Sequence, residues 1–70
     1  MNFYDWMMVK YLGKSTPRGD LANDMKHVGD FPKDGDRKEI IEHLRAKNAC
    51  EECLTVFKRC WQSYRKESDL

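Results

Sequence analysis

The stretch that decides the fold is Cys50-Glu51-Glu52-Cys53-Leu54-Thr55-Val56-Phe57-Lys58-Arg59-Cys60-Trp61-Gln62-Ser63-Tyr64-Arg65-Lys66. Turned at roughly 100° per residue, it places Cys50, Cys53, Leu54, Val56, Phe57, Cys60, Trp61 and Tyr64 within an arc of about 160°. Lys58, Arg59, Gln62, Arg65 and Lys66 fall on the other side. A helix with so clean an apolar face must bury it. The segments upstream are expected to be the cover.

Seventy residues make one small domain, expected to span 1–70 with its core in about 3–66 and a frayed tail at 67–70. Apolar content of 40% against 36% charged argues for a packed helical chain rather than a disordered one. A core this size supplies only about 3–5 kcal/mol, so large aromatics must be used well. The formal charge of +1 gives no overall push toward nucleic acid or a membrane. Three cysteines cannot complete a disulfide framework within one chain, which points to a reducing cytoplasm. The longest apolar run, Trp6–Val9, is far short of the roughly 20 residues of a membrane span, and no secretory signal is visible.

In chain order, Asn2 caps a first helix expected over Phe3–Leu12, with Phe3, Trp6, Met7 and Tyr11 on one side. Tyr4, Met8 and Leu12 widen that apolar surface beyond one face, and Gly13 stops the helix. Thr16-Pro17 reads as cap and first position of a second helix running to about Val28, carrying Leu21, Met25 and Val28 inward. Residues 29–35 form a loop whose Phe31 plugs into the core. Asp36 caps a third helix, which buries Ile40, Ile41 and Leu44. Asn48, with Glu51 three residues on, is expected to cap the last helix. The expected core is thus Phe3, Trp6, Met7, Leu21, Met25, Phe31, Ile40, Ile41, Leu44, Leu54, Phe57, Trp61 and Tyr64. Four helices, short links and no strand pattern make a compact all-α domain.

Phe3-Tyr4-x-Trp6, Leu21-Ala22-Asn23-Asp24, Phe31-Pro32-Lys33, Asn48-Ala49 and Phe57-x-x-x-Trp61-x-x-Tyr64, in that order, resemble the small bacterial YozE-like proteins. The resemblance runs from Phe3 to Tyr64. It implies a four-helix fold similar to the sterile alpha motif (SAM), in a cytoplasmic bacterial or mobile-element protein without known catalysis. It carries no functional residues across. The family tends to have a small residue where Cys60 stands, which implies a packing role for that thiol.

Cys50, Cys53 and Cys60, with His43 or His27, have the composition of a zinc site, and redox pairing of the thiols is a further alternative. Against that, cysteine beside Phe and Trp along one continuous helix behaves as a small apolar residue, and no metal or other cofactor is expected. Asp30–Ile41 has the length of a calcium loop but puts Pro32 and Ile41 where ligands are needed. No nucleophile setting and no Gly-rich phosphate loop is present, so neither an enzyme nor a small-molecule substrate is expected. Two surfaces remain. Tyr4, Met8 and Leu12, if uncovered, would make a protein-partner patch. Lys58, Arg59, Arg65 and Lys66, with Lys10, Lys14 or Arg18 adjoining, could follow a phosphate backbone. The chain is expected to be a small interaction module that binds protein, with nucleic acid as the alternative and no role for a membrane.

Overall fold

The structure, a computed structural model, describes residues 1–68. Its four helices are α1 (Phe3–Tyr11), α2 (Pro17–His27), α3 (Arg37–Ala46) and α4 (Glu51–Ser68), and no strand occurs among the described residues. The radius of gyration is 11.1 Å, matching the roughly 11 Å of a close-packed chain of this length. No described helix is long and apolar enough to cross a membrane.

Capping fixes the helix starts. The Asn2 side chain accepts the Asp5 N–H at 2.8 Å, Thr16 accepts that of Gly19 at 3.1 Å, and Asp36 accepts that of Glu39 at 2.9 Å. The exit from α1 is a type II turn: Leu12 has φ −59° and ψ 130°, Gly13 has φ +86°, and the Lys14 N–H donates to the Tyr11 carbonyl at 3.0 Å. Glycine suits that turn because its third position needs positive φ.

Asn48 does something other than the sequence suggests. It sits just past α3 at φ 63°. The Asn48 N–H donates to the Arg45 carbonyl at 3.0 Å and the Ala49 N–H to the Leu44 carbonyl at 2.9 Å. This pair of bonds is a Schellman closure of α3, where asparagine substitutes for glycine. The cap of α4 is Cys50 instead. Its carbonyl accepts the Leu54 N–H at 3.1 Å and its Sγ accepts the Cys53 N–H at 3.4 Å.

The core is built on Phe3. Its ring lies 5.4 Å from Phe57, 5.1 Å from Trp61, 5.5 Å from Tyr64 and 6.0 Å from Trp6, centroid to centroid. Edge and tilted geometries prevail in this cluster, the arrangements ring quadrupoles favour. Met7, Leu21, Met25, Ile40, Leu44, Leu54 and Cys60 complete the interior, and Phe31 enters from the 29–35 loop against Tyr4 and His43. Ala22 and Gly19 are also buried; these small residues let α2 approach its neighbours closely.

Three residues expected inside are only half-buried. Ile41, Trp61 and Tyr64 pack against the core from its flank. Tyr64 keeps its hydroxyl at the edge, where it donates to the Met1 carbonyl at 3.0 Å. Two helix ends also differ from expectation. The first helix stops at Tyr11 because the type II turn takes Leu12, and the second stops at His27 with Val28 as its extended cap. The last helix continues through Glu67 to Ser68, where fraying was expected. Near that end Lys10 Nζ of α1 meets Glu67 Oε1 at 2.8 Å. The remainder of the expected frayed tail, residues 69–70, lies outside the described residues.

Candidate interaction surface

Helices α2 and α4 lie side by side, and the seam between them is a groove of three adjoining hollows, of about 400, 260 and 430 Å³. Leu21, Asp24, Cys50 and Cys53 line both the first and the second. Pro17, Glu52 and Val56 line both the second and the third. The hollows therefore adjoin in a row, from His27 and His43 at one end to Arg18 and Arg59 at the other.

The first hollow is lined mainly by apolar side chains, and the charge of the lining changes sign farther along. Leu21, Met25, Val28, Phe31 and Leu44 face the first hollow. Asp20, Asp24 and Glu52 line the middle with no basic residue among them. At the far end the Arg18 guanidinium donates to the Tyr11 hydroxyl at 2.9 Å and lies 5.7 Å from that ring. The tyrosine hydroxyl raises the Arg18 pKa above its ordinary value, so the group stays a fixed cation.

The four cations Lys58, Arg59, Arg65 and Lys66 are all exposed, as a helix face opposite a core requires. Seven residues separate Lys58 from Arg65 and Arg59 from Lys66, so each pair lines up along the axis about 10.5 Å apart. Neither ion pair among the described residues involves them. Of the cations expected to adjoin them, Lys10 is taken up by Glu67, whose hydrogen bond raises the Lys10 pKa. The same bond holds the Glu67 carboxyl below its ordinary range, with a smaller pull from the Trp6 indole N–H. That indole nitrogen is buried and has no partner within hydrogen-bonding geometry, so Lys10 is the stronger partner.

Tyr4, Met8 and Leu12 are half-buried rather than open. The 29–35 loop covers Tyr4: Phe31 packs on its ring at 5.8 Å, and Lys33 Nζ lies 4.8 Å from the ring centre. The exposed apolar residue of α1 is Val9, at 73%. The loop thus covers Tyr4, while Met8 and Leu12 pack partly against the core.

The thiols divide. Cys50 is exposed, Cys53 is half-buried and Cys60 is buried. Burial pushes the Cys60 thiol pKa up, against a smaller opposing pull from Arg18. Among the described residues, no three of His, Cys, Asp and Glu come together as metal ligands. His27 Nδ1 contacts the Asn23 carbonyl of its own helix at 2.8 Å, and His43 packs edge-on against Phe31. In the 29–35 loop, Asp34 accepts from the Asn2 side chain at 2.9 Å, so it pins the N-terminus.

A family model described as the YozE SAM-like fold matches residues 2–66. The chain belongs to the YozE SAM-like family. No curated protein and no solved structure matches it. The matched span contains the residues that line the three hollows and the four cations of α4, and it ends one residue before Glu67. The Schellman Asn48 and the core aromatics lie in the same span.

Proposed function

We propose that this YozE-like domain is a non-catalytic interaction module that holds a segment of another protein in the α2–α4 groove, in the cytoplasm. The observation that carries this reading is the row of three adjoining hollows, the first of them lined mainly by apolar side chains. Concave apolar surface with a few polar groups on its rim is where proteins bind other molecules. A helix or strand laid in such a groove is read by side-chain anchors along one edge. Val56, half-buried and shared by the second and third hollows, is placed to meet such an anchor.

The exposed cations of α4 support a second reading, contact with a nucleic-acid backbone. Four phosphate contacts would give an affinity falling with salt at a log–log slope of about −3 to −4.

One experiment with two variants separates the readings. Val56→Arg fills the groove; charge reversal of Lys58, Arg59, Arg65 and Lys66 to Glu erases the stripe. Both are checked for retained helicity, then compared with wild type for capture of a partner from the native host and for retention on DNA. Protein docking is expected to fall roughly tenfold or more in Val56→Arg and to persist in the reversal. Capture insensitive to Val56→Arg, with salt-sensitive DNA retention lost on reversal, would replace the first reading by the second.

A further inference from the structure

We propose that Cys50 and Cys53 are a reversible dithiol–disulfide pair, with Cys50 as attacking thiol and a low-molecular-weight disulfide as oxidant. This goes beyond the docking reading and does not depend on it.

The geometry comes from the cap. Cys50 stands at the N-cap of an 18-residue helix, and its Sγ is turned over the first turn, onto the Cys53 N–H at 3.4 Å. The sulfur therefore already points toward the residue it would bond. Cys50 is exposed and Cys53 half-buried, so Cys50 is the thiol that an oxidant in solution meets first. Side chains three apart at a helix start have Cβ atoms about 5–6 Å apart, and a disulfide needs roughly 3.5–4.5 Å. Adjustment of the N-cap residue, which lies outside the helix proper, closes that gap. Both thiols line the first two hollows of the groove, so a small oxidant reaches them from solvent. Cys60 lines none of the three hollows and is fully buried, so it takes no part.

The exchange balances without any further reagent. The Cys50 thiolate attacks one sulfur of the disulfide RSSR, forming Cys50–S–S–R and releasing RS⁻. Cys53 then loses its proton to solvent and attacks the Cys50 sulfur, and the second RS⁻ leaves. Two protein thiols are oxidised and RSSR is reduced to two RSH. Burial pushes the Cys53 thiol up, with smaller contributions from Cys50 and Asp24, which suits it to the second step rather than the first. The bond formed lies in the wall common to two hollows, so oxidation would alter the groove itself.

The test uses the full native chain and oxidised glutathione, followed by alkylation under native conditions and trypsin. Cleavage after Lys47 and Lys58 leaves Cys50 and Cys53 in one peptide, and cleavage after Arg59 and Arg65 isolates Cys60 in another. The expected result is a 48–58 peptide lighter by two hydrogens, restored by excess reduced glutathione, with Cys60 alkylated only after unfolding. Cys53→Ser is expected to stop at a lasting glutathione adduct on Cys50. Cys50→Ser, which keeps a capping side chain, is expected to lose both adduct and closure. Persistent adducts on the wild-type chain, disulfide-linked dimers as the only product, or a Cys53→Ser adduct that clears as fast as wild type would each overturn the proposal.

Discussion

Phe57→Ala is expected to leave the chain largely unfolded at 25 °C. Phe57 is fully buried and packs edge-to-face with Phe3 at 5.4 Å, with Trp61 6.0 Å away and in contact with both rings. Truncating a buried Phe costs about 3–5 kcal/mol, the lost transfer energy plus the cavity left behind. A single core of this size supplies about 3–5 kcal/mol in total. The substitution therefore removes most or all of the net stability, and no second core or disulfide framework stands in reserve. Far-ultraviolet circular dichroism with a urea titration reads the effect. Val9→Ala on α1, at a position 73% exposed, is the matched control and should stay within about 0.5 kcal/mol of wild type. Equal midpoints for Phe57→Ala and wild type would show that the aromatic cluster does not hold the fold.

Gly19→Ala should be the next most damaging change, although alanine is the better helix former by about 1 kcal/mol. A Cβ at position 19 would lie 2.0 Å from the Lys14 carbonyl oxygen and 2.7 Å from its carbonyl carbon. Those are backbone atoms, so no side chain can swing aside. The linker cannot easily retreat either, because the Thr16 hydroxyl is bonded to the Gly19 N–H and the type II turn at Gly13 fixes the chain just before it. Either α2 slides on α1 or the Thr16 cap breaks. Overpacking of this kind costs about 1–3 kcal/mol, and more where backbone must move. For a domain this short that corresponds to a fall in Tm of roughly 5–20 °C. Gly29→Ala is the contrasting case: its Cβ would meet nothing within 4 Å and its φ is not positive. It should be neutral or stabilising by about 0.4–1 kcal/mol. A Gly19→Ala protein as stable as Gly29→Ala would mean that the close approach of Lys14 is not maintained in solution.

The helices were legible because their signals are local. Caps at Asn2, Thr16 and Asp36, the stop at Gly13 and the i, i+4 spacing of apolar residues each act over one or two turns. Asn48 misleads because asparagine is favoured both at an N-cap and in the left-handed position that closes a helix. Only the bonds of Ala49 and Cys50 decide between the two, and cysteine is an unusual cap. Gly19 has no sequence signature at all. Its necessity comes from a carbonyl five residues earlier, brought back by the turn between α1 and α2. Glu67 likewise looked like a loose end, because the cation that holds it stands at the opposite end of the chain.

The surfaces were harder to read than the core. A helical wheel shows that α1 has apolar surface to spare, yet it cannot show that Phe31 and Lys33 come to rest on Tyr4. The groove is invisible in the sequence, since its lining comes mainly from α2, α3, α4 and Phe31, which only the fold brings together. The stripe of Lys58, Arg59, Arg65 and Lys66 was legible because all four stand on one helix, opposite residues that must be inside. The thiols fall between these cases. The spacing of Cys50 and Cys53 was plain, but the turn of the Cys50 sulfur onto the first turn of α4 was not.

The most direct test of the fold is a nuclear Overhauser spectrum of the native chain, read at the ring protons of Phe3. With Phe57, Trp61 and Tyr64 stacked around that ring at 5.1–5.5 Å between centroids, cross-peaks from Phe3 to all three are expected. A native, helical chain in which Phe3 shows none of them, and in which Trp61 and Tyr64 behave as fully solvated rings, would contradict an α4 whose aromatic side is covered by α1.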